Sequence, residues 1–363
     1  MGVLTRRRAG GTRRPAGAPP ALAAASVGAA AVLLGGSLAA CGGSAEGASA
    51  STVRLGFFPN VTHGSALVGV DKGYFAKALG KTKLKTSTFN AGTDAVQALF
   101  SGAIDASYVG PNPAINAWQQ SHGKAVRIVS GATSGGVSLI VKPGIKTVDD
   151  LRGKKIATPS LGNTQDVAAR YWLKSKGLKT TTQGGGDVHI MPMKNAQTVR
   201  SFVSGDIDGA WVPEPYASMV RIQGKGRQFL DESSLWPGGK FVITHLIVRT
   251  DFLKEHPEQV KALLRGQVQA NDYIRRNPAG ARKAVNDELK KLTGKALEPD
   301  VLKSAMEHVK FTDDPVASSL KGSADHAVQV GLLKPVDLKG IYDLGPLNEV
   351  LKKAGEPAVS GSS

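Results

Sequence analysis

From residue 53 onward the apolar positions switch repeatedly between short continuous or alternating runs and a three-to-four-residue spacing, the pattern of strands followed by helices. Val53, Leu55, Phe57 and Phe58 form the first run, the polar turn Pro59-Asn60-Val61-Thr62-His63-Gly64 follows, and Leu67, Val70 and Phe75 then fall at helical spacing. The same reading predicts strands over 83–89, 104–109 and 126–130, with helices over 93–100 and 113–120 between them. After apolar segments at 139–141 and 148–151 the alternation restarts with strand 155–157, helix 164–176 and strand 188–191, and then helix 196–203 leads into strand 207–212. Such alternation implies an α/β chain whose sheets are mainly parallel and flanked by helices on both faces.

A short segment is used twice. Ser101-Gly102-Ala103-Ile104-Asp105-Ala106-Ser107-Tyr108-Val109 recurs as Ser204-Gly205-Asp206-Ile207-Asp208-Gly209-Ala210-Trp211-Val212. Each copy leaves a helix at its glycine, enters a strand at its isoleucine, and ends in proline-bracketed polar residues, Pro111-Asn112-Pro113 and Pro213-Glu214-Pro215. Two similar lobes facing one another are the layout this repetition suggests. The apolar run 241–248 reads as a return strand, and from Asp251 the period is nearly all helical, over 257–276, 279–291, 299–309 and 316–330. Val260, Leu263, Leu264 and Val268 mark one apolar face, so these helices are expected to cover the first lobe rather than form a third domain. The expected division is therefore 53–135 for the first lobe, 136–239 for the second, and 240–363 for the part that returns to the first. The lobes would be joined at Ser134-Gly135-Gly136 and near Gly238-Gly239, paired glycine-rich crossings suited to a hinge.

The first forty residues differ from the rest. Arg6, Arg7, Arg8, Arg13 and Arg14 precede an uncharged Ala/Gly/Leu/Val run from Ala21 to Ala40, the layout of a signal peptide. Leu38-Ala39-Ala40-Cys41 resembles a bacterial lipobox, and Cys41 is the only cysteine in the chain. A leader over 1–40, diacylglycerol attachment at Cys41 and a Gly/Ala/Ser-rich tether over 41–52 are expected, with two or more acyl chains holding the protein on the outer face of the cell membrane. Removal of the leader lowers the formal net charge from +17 to +12. The remaining Lys and Arg are scattered, as at Lys81, Lys83 and Lys85, and aromatics are only 6% of the chain, so no nucleic-acid footprint is visible. The charge fits solubility and attraction of anions.

Ligands of open α/β sheets bind beyond the carboxyl ends of strands, where helix N-termini present free N–H groups. The polar residues at those ends are Asn60, Thr62 and His63, then Thr93, then Asn112; on the second lobe they are Asn163, Thr164, Gln165 and Glu214. Any one asparagine or threonine among them serves equally well as a helix cap, and only the convergence of five loops favours a site. Glu214 either accepts a hydrogen bond from an amine or hydroxyl of the ligand or caps the helix beside Pro215. Trp211, at a strand end, is placed to wall the cleft, whereas Trp118, Trp172 and Trp236 read as packing residues. His63 and His245 are candidate donors.

No His-Glu-x-x-His spacing, Gly-x-Ser-x-Gly elbow or P-loop occurs, so neither a metal, a cofactor nor hydrolytic machinery is expected. The segments 158–166 (Thr-Pro-Ser-Leu-Gly-Asn-Thr-Gln-Asp), 108–116 and 211–215 carry a resemblance to a family. Together they resemble the periplasmic and lipid-anchored substrate-binding proteins of ABC importers of the sulfonate, taurine and nitrate group, over roughly residues 53–276. The resemblance implies a two-lobed, type II periplasmic-binding-protein fold with the ligand held between the lobes, a permease and an ATPase as partners, and the chain itself monomeric. An aliphatic sulfonate is the ligand expected first; taurine, nitrate, bicarbonate and a thiamine-precursor pyrimidine remain open, as does a sensor role. A pyrimidine-precursor synthase shares the fold, but the cysteine-rich iron motif it would need is not in this sequence.

Overall fold

The computed structural model describes residues 51–361. The expected leader, Cys41 and the tether up to residue 50 lie outside the described residues. Two sheets organise the rest. The first has six strands in the order β11-β4-β10-β3-β1-β2, with β1 at Thr52–Phe57, β2 at Lys83–Thr88, β3 at Ala106–Val109, β4 at Val126–Gly135, β10 at Val242–Arg249 and β11 at Val309–Phe311. The second has five in the order β7-β6-β8-β5-β9, with β5 at Val137–Val141, β6 at Lys155–Thr158, β7 at His189–Pro192, β8 at Gly209–Pro213 and β9 at Arg227–Asp231.

Both sheets are mixed rather than mainly parallel. β1 pairs in parallel with β2 and β3, but β10 runs antiparallel to both β3 and β4, and β11 antiparallel to β4. In the second sheet β6 is parallel to β7 and β8, whereas β5 is antiparallel to β8 and β9. The reversed central strands are β10, which brings the chain back to the first sheet, and β5, which takes it into the second.

Helices cover both faces of each sheet. On one face of the first, Val53, Leu55 and Phe57 pack with α1 (Gly64–Asp71), α2 (Tyr74–Leu79), α9 (Pro257–Arg276), α10 (Pro278–Thr293) and α13 (Gly345–Ala354). Leu263, Leu264 and Val260 are fully buried there, so the long C-terminal helices do pack on the first sheet. The other face carries α3 (Gly92–Phe100), α4 (Pro111–Gln120) and α12 (Ala317–Gln329) over Val109, Ile128 and Ile247. In the second lobe α5 (Thr164–Ser175) covers one face, and α6 (Asn195–Ser204) with α7 (Tyr216–Ile222) the other. The remaining helices are α8 (Thr250–Glu255) and α11 (Pro299–Glu307).

The repeated segment adopts one geometry twice. Asp105 Oδ2 accepts from Arg54 N at 2.8 Å while Asp105 N donates to Arg54 O; Asp208 Oδ2 accepts from Lys155 N at 2.9 Å while Asp208 N donates to Lys155 O. Each aspartate thus pins the start of its own strand to the start of the neighbouring parallel one, which satisfies edge backbone groups that would otherwise lack partners. The chain passes from the first sheet to the second through Gly135 and Gly136 at φ 76° and 73°, and returns through Gly238 and Gly239 at φ 59° and 69°. These are left-handed conformations that a side chain disfavours.

Candidate functional site

Between the two sheets lies a crevice whose walls are the polar strand ends. From the first lobe come Asn60, Thr62 and His63, on the turn between β1 and α1; from the second come Asn163, Thr164 and Gln165, on the turn between β6 and α5. All six are at least nine-tenths buried. The cavity between them is about 20 Å³, against roughly 10–15 Å³ needed to hold one water. The walls therefore stand close together, and a ligand of several heavy atoms enters only when they part.

Capping does not account for these side chains. Asn60 precedes the short turn Val61–His63 and Asn163 is the N-cap of α5, yet neither side chain makes a cap hydrogen bond. The second wall is held instead by Asp166 in the first turn of α5: its carboxylate accepts from Thr158 Oγ1 at 2.8 Å, Gly162 N at 3.1 Å and Arg170 Nε at 2.8 Å. Asp166 and Arg170 are both buried, so a charge-assisted pair fixes the loop that presents Asn163.

Among the described residues, His63 is the only titratable side chain lining the crevice. Its Nδ1 accepts from Phe58 N at 3.2 Å, and its ring stacks on Phe58 with centroids 4.4 Å apart. Burial lowers its pKa from 6.5 to about 3, so the ring is neutral. An acceptor at Nδ1 leaves the proton on Nε2, making His63 an uncharged donor. Four helices start at the crevice: His63 is the N-cap of α1, Gly110 that of α4, Asn163 that of α5, and Asn195 the first residue of α6. Their N-termini give positive potential without a cation.

Four residues expected in the site fall outside its lining. Thr93 is exposed on the first turn of α3. Asn112 donates from Nδ2 to Ser323 O at 3.1 Å and so ties α4 to α12; only its backbone N, 3.4 Å from Thr164 Oγ1, reaches the opposite wall. Trp211 points into the core of the second lobe, because strand alternation puts it on the face opposite Ala210 and Val212, and its Nε1 donates to Glu232 Oε2 at 2.6 Å. Glu214 accepts from Ser218 N and Ser218 Oγ, each at 3.0 Å, so its carboxylate holds the start of α7. Burial raises its pKa, and the Ser218 hydrogen bonds oppose the rise. His245 also faces away from the crevice, with Nε2 3.2 Å from Pro315 O, while its neighbour Thr244 lines it.

The lining adds Phe58, Asn90, Thr244 and Asn195 to the residues expected from sequence. Asn195 follows β7 as Asn163 follows β6, so the strand-end rule reaches it once the strand read over 188–191 is extended to Pro192 and the polar residues after it are included.

A two-lobed α/β fold with a buried polar crevice between its sheets is the architecture of the periplasmic binding proteins. The chain belongs to the NMT1-like family, whose model matches residues 46–287. A Brucella abortus (strain 2308) protein described as a binding protein is 30% identical over 268 residues, 71% of this chain and 79% of its own length. The taurine-binding periplasmic protein of Escherichia coli (strain K12) is 30% identical over 207 residues, 56% of this chain and 61% of that protein. The alkanesulfonate-binding protein SsuA from Xanthomonas axonopodis pv. citri, solved bound to MOPS, superposes with a TM-score of 0.68 at 21% identity, covering 82% of this chain and all of that one.

Proposed function

We propose that this chain is the extracytoplasmic solute-binding component of an ABC importer, that it holds a small organic anion between its lobes, and that an aliphatic sulfonate is the first ligand to test. The observation that carries this reading is the crevice itself: four helix N-termini, neutral amides and a neutral His63 converge on one point with no Lys, Arg, Asp or Glu in the lining among the described residues. Such a site stabilises an oxyanion by hydrogen bonds and helix dipoles rather than by a countercharge. Asn60, Thr62, His63, Asn163, Thr164 and Gln165 are the residues assigned to it. The names of the taurine-binding and alkanesulfonate-binding relatives point the same way. Delivery to a permease and its ATPase, and anchoring through Cys41, complete the reading.

Calorimetric titration of the purified full-length protein in detergent against ethanesulfonate, taurine, nitrate, bicarbonate and a pyrimidine tests it. Binding of a sulfonate at micromolar concentration or below, with no heat from the pyrimidine, is the expected outcome. Tight binding of nitrate alone replaces the sulfonate with an inorganic anion. Cys41→Ala should shift the protein from the membrane to the soluble fraction, as read by fractionation; retention on the membrane would remove the lipid anchor from the reading.

A further inference from the structure

Asn195 opens α6 and lines the crevice, where it is 7% exposed. Its amide oxygen Oδ1 is buried and has no hydrogen-bond partner. Nor is it a cap: the N-cap of α6 is Lys194, and no side-chain cap bond is made there. Native proteins rarely leave a buried acceptor unpaired, because the group loses its water without gaining a partner. The rest of the crevice offers donors to an anion, through Nε2 of His63 and the N–H groups at the helix starts. The Asn195 oxygen has the opposite polarity and gains nothing from an anion's oxygens.

We infer that Asn195 determines specificity by accepting a hydrogen bond from the ligand, which must therefore carry an O–H or N–H donor close to its anionic head. The class is an amino- or hydroxy-substituted sulfonate, or a protonated oxyanion such as bicarbonate, chosen over a donor-free anion of the same shape. A donor-free ligand would leave Oδ1 unpaired and add the repulsion between two acceptors. The inference rests on the crevice being the ligand site, as proposed above.

Two matched pairs test it by calorimetry on the full-length protein: 2-hydroxyethanesulfonate against 1-propanesulfonate, which exchanges O–H for a methyl group, and bicarbonate against nitrate. In every pair that binds, the donor-bearing member should bind at least about tenfold more tightly, the scale of discrimination that an unpaired buried group imposes. Asn195→Leu should bring that ratio to within about threefold, whereas Asn195→Asp, which keeps an acceptor, should preserve it. Thermal melting establishes that the variants fold, and Asn195→Ala replaces the leucine variant if that one does not. Equal binding within the pairs by the native protein overturns the inference, as does an equal loss for both members on Asn195→Leu, which would make Asn195 only a wall. Absence of binding by all four anions is a different result: it removes the proposed ligand class, and the inference with it.

Discussion

Gly110 and Thr164 meet across the crevice so closely that a Cβ on Gly110 would stand 2.4 Å from Thr164 Oγ1. Gly110 follows β3 as the N-cap of α4, and its φ of −71° is one any residue adopts, so the glycine is required by the approach of the opposite lobe and not by its own backbone. Gly110→Ala should therefore hold the lobes apart while leaving each lobe folded. The expected result is at least a tenfold loss of ligand affinity, with small-angle scattering showing a larger radius of gyration at saturating ligand than for the native protein. Adding Thr164→Ala removes the clashing hydroxyl and should recover part of the compaction. An unchanged affinity for Gly110→Ala would show that the two walls need not approach this closely.

His63 provides a test of charge. With its pKa lowered to about 3 by burial, it stays uncharged throughout the range in which most binding is measured. Affinity for a fully ionised sulfonate should therefore vary by no more than about twofold between pH 5 and pH 8. His63→Phe should lower affinity by about tenfold through loss of the Nε2 donor. A steep rise in affinity as the pH drops from 7 to 5 would mean that a protonated imidazole binds the anion.

Glu232 makes stability depend on pH. It lies on the turn Glu232–Leu235 after β9, takes a hydrogen bond from Trp211, and is raised by burial to a pKa of about 7, against the ordinary 4.5; the hydrogen bonds of Trp211 and Trp236 oppose that rise. Because its folded pKa lies above its unfolded one, the folded state binds the proton more tightly, and this residue's contribution to stability falls as pH rises from about 4.5 to about 7. Buried neutral His63 and His245 act in the opposite direction, losing stability as pH falls below 6.5 towards about 3 and about 4. Glu232→Gln should remove the first effect only. Its melting temperature relative to the native protein should rise steadily from pH 5 to pH 7.5, corresponding to a difference of up to about 3 kcal/mol. A constant difference across that range would contradict the assignment.

The buried Asp166–Arg170 pair supports the wall that carries Asn163 and Thr164. Asp166→Ala leaves the Arg170 guanidinium buried without its countercharge and should destabilise the protein by about 3–5 kcal/mol. Replacing both, as Asp166→Leu with Arg170→Met, should recover much of that stability by denaturant titration. Ligand affinity should stay low in the double variant, because Gly162 N and Thr158 Oγ1 lose their common acceptor. Full recovery of affinity would show that the loop holds its shape without the carboxylate.

Alternation of period made most of the α/β order legible, because strands such as 53–57 and helices such as 257–276 each bury one clear face. Direction was not legible. An apolar run such as 242–248 fills a central position equally well in either sense, and only the path of the chain makes β10 antiparallel to both its neighbours. β11, at Val309–Phe311, is too short to show a period of two, and the helical pattern over 299–309 runs into its first residue; the pattern also leaves β9 and α13 unmarked. At the crevice the strand-end rule led to Asn60, Thr62, His63 and the 163–165 turn, which the fold brings together. It misplaced Trp211 because a strand end supplies residues to both faces, and only the pairing of Trp211 with Leu139 fixes which face it takes. Asn112 and Glu214 are polar residues consumed by structure: one ties two helices together, the other starts α7.

The position of β10 governs the order in which this protein can be completed. It sits between β4 and β3, and it is made after every strand of the other sheet. A nascent chain that ends before residue 242 already contains all five strands of the second sheet, but its β4 has no strand through which to join β3. The part synthesised first must therefore wait for the part synthesised last. Any pause or truncation between residues 231 and 242 would leave one half able to form its sheet and the other with one edge of β3 and both edges of β4 unpaired and open to association with other chains.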